Sequence, residues 1–192
     1  MRIEPLDWWI ATFGEIAPIG HVLRGHLHEH WTRFHSLPQS KRYAENDGEY
    51  AELLQRHLNV GSALFQPREV IVVLHSEHHA RKDKPNNKRR RHLGTRQLRE
   101  KMIELPVLAS DKVESGYWQV RAIVTSWIPD FFADLNQRIA DEQDSGVAFI
   151  SPTTKNIYCP YDGGMDIFSF SISPQSLEEK FRHWMSGRPD KL

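Results

Sequence analysis

The sequence has almost no cysteine, no net charge and no long hydrophobic run. Its single cysteine, Cys159, excludes an intramolecular disulfide and is typical of a reducing compartment. The 25 basic and 25 acidic residues balance, so no global field attracts nucleic acid or a membrane surface. No apolar stretch approaches the length of a transmembrane helix, and the N-terminal residues, with their acids and a proline, do not resemble a signal peptide. We therefore expect a soluble, cytoplasmic protein without a membrane partner.

The apolar residues that are present are numerous enough for a sizeable core. Hydrophobic residues make up 39% of the 192 residues, and there are six tryptophans. A chain of this size and composition is typical of one packed domain rather than of a disordered protein. We expect residues 1–192 to form a single globular domain.

Hydrophobic periodicity predicts an α+β fold. The predicted order is three helices, a strand, a basic loop, a strand, a helix, three strands and a closing helix. Such an order indicates helices packed on a mixed, largely antiparallel sheet, with a C-terminal β-hairpin before the last helix. The clearest predicted elements are a helix 19–31, a helix from 46 or 47 to about 65, a buried strand 70–74, a strand 117–127 and a last helix that Ser173 caps.

The stretch 156–172 is the clearest hairpin signal and also the most polar of the strand-like segments. Its turn contains Tyr161, Asp162 and two glycines, and Asp166 follows one strand position later. Asp-Gly-Gly is typical of a tight turn, which explains Asp162 structurally. A buried Asp166 would need a cationic partner, which Arg33, Lys41 or Arg42 could supply.

Histidines form the only pattern that suggests a metal. His26 and His30 are four residues apart in a predicted helix, and His75 ends a predicted strand. The order lacks the glutamate that follows the first histidine of a zinc-protease helix. We interpret these histidines as locally hydrogen-bonded and predict no metal or cofactor; His26, His30 and His75 remain the metal alternative.

Residues 76–95 are rich in lysine and arginine and have no apolar period, so we expect a protruding, mobile loop. Its charges could bind an acidic protein surface, or bind nucleic acid through 81–99 with strong salt dependence. No aromatic residues are interleaved to stack on bases. The candidate contact residues are Arg81, Lys82, Lys88, Arg89, Arg90 and Arg91.

Signatures of common catalytic sites are missing from the sequence. There is no G-x-S-x-G elbow, no phosphate-binding glycine loop and no dinucleotide fingerprint. Cys159 precedes a proline at a predicted strand edge, which indicates packing. An alternative is an enzyme or ligand-binding protein whose cations hold an anionic ligand while an aspartate or histidine acts as base. The candidate residues for that pocket are Arg33, His35, Lys41, Arg42, Tyr161, Asp162 and Asp166.

Two segments carry a resemblance to a known family. Residues 31–43 read W-x-R-F-H-S-L-P-x-S-K-R-Y, and residues 161–166 read Y-D-G-G-x-D. Both motifs resemble those of a family of small bacterial proteins classed as a domain of unknown function, and the likeness covers most of the chain except the basic loop. The predicted build, a hairpin followed by a Ser-Pro-capped helix, is also similar to small bacterial immunity proteins that neutralise contact-delivered toxins.

The second likeness sets the leading functional expectation. Immunity proteins act by binding, so the resemblance implies a non-enzymatic cytoplasmic protein that binds and neutralises a partner protein. The alternatives are the anionic-ligand pocket, with or without catalysis, and nucleic-acid binding through the basic loop.

Overall fold

The computed structural model describes residues 4–80, 102–106, 116–188 and 190–191. These residues form five α-helices, seven β-strands and four short 3₁₀ turns. The helices are α1 Pro5–Phe13, α2 Gly20–His26, α3 Asp47–Leu64, α4 Ala133–Ala140 and α5 Pro174–Lys180. The strands are β1 Trp31–His35, β2 Val70–Ala80, β3 Met102–Pro106, β4 Gly116–Ser126, β5 Val147–Ile150, β6 Ile157–Tyr161 and β7 Gly164–Phe168.

All the described strands belong to one sheet with the order β1-β7-β6-β5-β2-β4-β3, and each neighbouring pair is antiparallel. The α+β prediction is therefore confirmed, as are the C-terminal hairpin and the helix that follows it. Strand β2 lies in the interior of the sheet, between β5 and β4, and its residues 71–74 are buried on both faces.

Helices cover both faces of the sheet, and the alternation of side chains along β2 shows why. Val72 and Leu74 pack in a core with α1 and α2, whereas Ile71 and Val73 pack in a second core with α3, α4 and α5. The molecule is thus a three-layer sandwich with the sheet in the middle.

Local sequence sets where the helices begin. The Asn46 side chain accepts a hydrogen bond from the Glu49 backbone N–H at 3.0 Å, which caps α3. Ser173 caps α5 in the same way, and Pro174 occupies its first position. Both helix starts match the sequence prediction.

The sheet brings the two motif segments together. Strand β1 pairs with β7, and the register places Arg33 opposite Asp166 and His35 opposite Gly164. At Gly164 a Cβ atom would lie 2.2 Å from the Phe34 carbonyl oxygen, so the two backbones approach too closely for any other residue.

Some predicted boundaries were wrong. Helix α2 ends at His26, followed by a 3₁₀ turn and then β1, so the helix predicted for 19–31 is only about half as long. Residues 76–80 belong to β2 rather than to the basic loop, because they pair with the start of β4. The remainder of that predicted loop, 81–95, lies outside the described residues. In the described part of the chain, no helix is both long and apolar enough to cross a membrane.

Candidate functional site

Asp166 is buried and has three hydrogen-bond donors from β1. One carboxylate oxygen accepts from the Trp31 indole at 2.7 Å and from Arg33 Nε at 2.8 Å, and the other accepts from Arg33 Nη2 at 2.9 Å. Asp166 is 3% exposed. The predicted pairing of Asp166 with a cation of the first motif is confirmed, and the bidentate geometry makes it a strong contact.

Neighbouring groups close this ion pair off from solvent. The Arg33 guanidinium carbon lies 4.8 Å from the centre of the Tyr161 ring, and burial raises the pKa of Tyr161 to about 12. At Gly20, the first residue of α2, a Cβ atom would lie 2.6 Å from an Asp166 carboxylate oxygen. The arrangement therefore fastens β1, β7 and α2 together rather than opening a pocket.

Asp162 pairs with a different cation at the surface. Its carboxylate accepts from Arg42 Nε, and Arg42 Nη2 also reaches Glu142 at 3.3 Å. The Tyr43 hydroxyl donates to Glu142 at 3.0 Å. This exposed cluster joins the β6–β7 turn to the loop after β1.

Lys41 belongs to a third ion-pair cluster, separate from those of Asp166 and Asp162. Its ammonium group lies 2.7 Å from Glu49 on α3 and 3.0 Å from Glu45. The structure thus distributes the predicted pocket residues over three separate ion-pair clusters. Of those residues, His35 is the one that lines the pocket described next.

A pocket of about 470 Å³ lies beside α3. One wall is formed by His35 at the end of β1 and by Leu37, Gln39 and Ser40 in the segment that follows. The opposite wall is residues 183–188, which follow α5, and Arg56 of α3 lies between the walls. We call this site the Arg56 pocket. Its volume is within the range of pockets that bind small molecules.

The backbone at the mouth of the Arg56 pocket is strained. Gln39 and Ser40 have φ values of 56° and 58°, so two successive residues with a Cβ atom adopt the left-handed conformation. Each such residue costs roughly 1–2 kcal/mol. The surrounding structure must therefore hold this loop in its strained shape.

Arg56 itself is buried and held in place. Its Nη1 donates to the His35 carbonyl oxygen at 3.1 Å and its Nε donates to Glu52 at 2.7 Å. Its guanidinium carbon lies 5.3 Å from the centre of the Trp184 ring. The nearby His35 has a lowered pKa, chiefly because burial disfavours its charged form and secondly because Arg33 is close.

A chain of buried polar side chains lies next to the pocket. Ser36 Oγ is 2.8 Å from His57 Nε2, His57 Nδ1 is 2.5 Å from the Tyr158 hydroxyl, and that hydroxyl donates to Asn136 at 3.3 Å. A neutral imidazole donates from one nitrogen and accepts at the other, so the His57 ring can satisfy both the Ser36 hydroxyl and the Tyr158 phenol. Burial lowers the pKa of His57 to about 3, so the ring is neutral at pH 7. This chain joins β1, α3, β6 and α4.

Sequence reasoning missed Arg56 and His57. The stripe expected on α3 was Tyr50, Leu53, Leu54, Leu58 and Leu64, whereas the buried residues are Leu53, Arg56, His57, Val60, Gly61 and Leu64. Positions 53, 57, 60 and 64 follow helical spacing. The signal was therefore present in the sequence, but two polar residues occupied a face expected to be apolar.

The histidines proposed as metal ligands do not share a helix face. Helix α2 ends at His26, and His30 lies in the next turn, where its ring stacks on Phe170 at 4.0 Å. His75 is buried in β2. Within 4–80, 102–106 and 116–188, no three His, Cys, Asp or Glu side chains are arranged to hold a metal ion. Cys159 is buried too, and burial raises the pKa of its thiol well above the ordinary value.

The candidate basic contacts Arg81, Lys82, Lys88, Arg89, Arg90 and Arg91 lie outside the described residues.

Comparison with known proteins gives a family and nothing closer. No curated protein and no solved structure matches the chain. The model of one family, described as a domain of unknown function (DUF3885), matches residues 19–189. Since this range includes both motif segments and all seven strands of the described sheet, the chain belongs to the DUF3885 family.

Proposed function

We propose that this protein is a cytoplasmic bacterial protein that binds a small ligand in the Arg56 pocket. The observation that carries the proposal is the pair of left-handed residues, Gln39 and Ser40, at the mouth of a pocket of about 470 Å³. Strained backbone of this kind clusters at ligand-binding sites, where the surrounding structure holds it in a binding shape. The first motif segment contributes His35, Leu37, Gln39 and Ser40 to this pocket, and Arg56 of α3 is its buried cation.

Binding without chemistry is the form of the proposal that we favour. Ser36 and His57 have the hydrogen bond of a nucleophile and its base, yet both side chains are within 1% of complete burial. A substrate would have to displace core residues to reach Ser36. The pair is better explained as an internal structural bond.

The test of the proposal is to fill the pocket. Gly187 lines it, and a Cβ atom built there meets nothing within 4 Å, so a side chain can begin at this position and Gly187→Trp is the variant designed to fill the cavity. Gly25→Trp is the matched control, because Gly25 has equally open surroundings on α2.

A thermal-shift screen of small molecules then gives the answer. We expect compounds that stabilise the wild-type protein to keep their effect on Gly25→Trp and to lose it on Gly187→Trp. The proposal fails if no compound stabilises the protein, or if Gly187→Trp responds as the wild type does.

A second candidate is the binding of a partner protein, including the immunity-like role. Four exposed apolar side chains, Val70, Val124, Ile128 and Phe131, lie where β2 begins and β4 ends, and Phe131 is 64% exposed. Val70 and Val124 lie on one face of the sheet, since Val70 pairs with Ser126 and Val72 pairs with Val124, and Ile128 and Phe131 lie in the turn that follows β4. Apolar patches of this kind often mark protein interfaces.

The partner expected for this patch has an apolar centre with a basic rim. The exposed charged residues near this patch in the chain are two acids, Asp130 and Asp134, and one base, Arg68. The patch is therefore bordered by a net negative charge, which a basic partner surface would complement. The test compares Phe131→Ser with Ile10→Ser, a change at another exposed apolar residue. The candidate is supported if a purified partner binds the wild type and Ile10→Ser directly but does not bind Phe131→Ser. Equal binding to all three proteins refutes it.

A further inference from the structure

The lining of the Arg56 pocket is one-sided in charge. Its eleven residues include two arginines, Arg56 and Arg188, and two histidines, His35 and His183, but no aspartate or glutamate. The chain as a whole has equal numbers of acidic and basic residues. A lining without carboxylates favours a negatively charged ligand over a neutral or positive one, although Asp190, outside the lining, holds Arg188 at 2.7 Å and offsets part of this charge.

Arg56 is positioned in advance for such a ligand. It is 5% exposed, so its charge is poorly screened by water, and hydrogen bonds at 3.1 Å and 2.7 Å fix its guanidinium. A fixed, planar guanidinium holds a carboxylate or a phosphate with little loss of conformational entropy. Glu52, the partner of Arg56 Nε, lies outside the pocket lining, and its side chain is 47% exposed.

The rest of the lining suits an apolar body. Leu37 is buried beneath the pocket, and Trp184 and Met185 present half-buried side chains on the opposite wall. Trp184 is stacked on Phe181 at 4.8 Å, which fixes the plane of its ring. An apolar group can pack among Leu37, Trp184 and Met185 while its charged end reaches the Arg56 guanidinium, which lies over the Trp184 ring.

We propose that the Arg56 pocket recognises an amphipathic organic anion, with a carboxylate or phosphate held by Arg56 and an apolar group packed against Trp184. This inference rests on the proposed function and names the chemical class of its ligand. Glu52 weakens the site by competing for Arg56, since its carboxylate already occupies one donor of the guanidinium. Removing the charge of Glu52 therefore strengthens anion binding.

Three compounds of nearly equal shape separate charge from fit. Benzoate is negative, benzamide neutral and benzamidine positive, and phenyl phosphate distinguishes a preference for phosphate from one for carboxylate. Titrations followed by NMR measure each dissociation constant with the whole protein. We expect benzoate or phenyl phosphate to bind at least about tenfold more tightly than benzamide, and benzamidine to bind most weakly, because charged hydrogen bonds are the stronger ones.

Variants assign the preference to Arg56. Glu52→Gln is expected to tighten benzoate binding about two- to fivefold and to leave benzamide unchanged, as loss of one partly screened charge predicts. Arg56→Gln removes the preference for benzoate; if it does not fold, Arg188→Gln, at an exposed lining residue, weakens benzoate binding instead. Arg182→Gln is the matched control, because Arg182 is exposed and lies outside the pocket lining.

Each result has a distinct meaning. If benzamide or benzamidine binds as tightly as benzoate, and Gly187→Trp abolishes all binding, the anion preference is overturned. The proposed pocket function is then left intact. Weaker benzoate binding by Glu52→Gln also overturns the inference, since Glu52 would then only hold Arg56 in place. Absence of binding by all four compounds, together with a negative thermal-shift screen, overturns the pocket function as well.

Discussion

Replacing Asp166 by alanine should destabilise the protein far more than replacing Asp162, although the two residues share one hairpin. Asp166→Ala leaves the Arg33 guanidinium, whose side chain is 13% exposed, and the Trp31 indole N–H without their carboxylate. Removing one partner of a buried ion pair costs about 3–5 kcal/mol. Asp162 pairs with Arg42, whose side chain is 59% exposed, so water screens this ion pair and it contributes far less.

Thermal unfolding followed by tryptophan fluorescence measures both losses. A domain of this length loses roughly 2–4 °C in Tm per kcal/mol, so Asp166→Ala should melt roughly 6–20 °C below the wild type. Asp162→Ala should melt within about 4 °C of it. Equal losses in the two variants would refute the reasoning, because they would mean that burial and bidentate pairing do not decide the energy of these contacts.

Three further predictions concern the buried histidine, the strained loop and the basic segment. Burial gives His57 a folded pKa of about 3 against about 6.5 unfolded, so the free energy of unfolding should fall by up to about 1.4 kcal/mol per pH unit as the pH is lowered from 6.5 to 3. In urea titrations, His57→Gln should flatten this slope, whereas His28→Gln, at an exposed histidine, should keep it. Equal slopes in the two variants contradict the assignment. Ser40→Gly should be at least as stable as the wild type, because glycine adopts φ near 58° without strain. Ser40→Val should lose about 1 kcal/mol or more in the same assay, because valine tolerates this φ poorly. A Val variant as stable as the Gly variant argues against the strained loop. If residues 81–99 bind nucleic acid, fluorescence anisotropy with labelled DNA should show affinity falling steeply between 50 and 200 mM salt, by roughly 10³-fold for six contacts, whereas a salt-independent affinity excludes that role.

Much of the architecture follows from the sequence because it is written in local patterns. The β-branched run of β2, the Asn46 and Ser173 caps and the Asp-Gly-Gly turn each specify an element through nearby residues. The order of the strands is a different matter. The pairing of β1 with β7 joins residues more than 100 positions apart, and the local sequence of Trp31–His35 does not predict it.

The site was only partly predictable for the same reason. The cation for Asp166 was correctly sought in the first motif, since a buried carboxylate requires a partner and that motif is rich in basic residues. The Arg56 pocket combines three distant parts of the chain, and its key cation belongs to a helix face expected to be apolar. Polar residues such as His57 become acceptable on that face only because Ser36 and Tyr158 satisfy them, and those contacts are tertiary.

The most direct test of a ligand site at the Arg56 pocket is an NMR map of backbone amide shifts on addition of benzoate. The account predicts that the largest shifts fall on Gln39, Ser40 and residues 186–188, which line the two walls, and that they vanish in Gly187→Trp. Shifts centred on Ile128 and Phe131 instead, or no shifts at millimolar benzoate and phenyl phosphate, would contradict it.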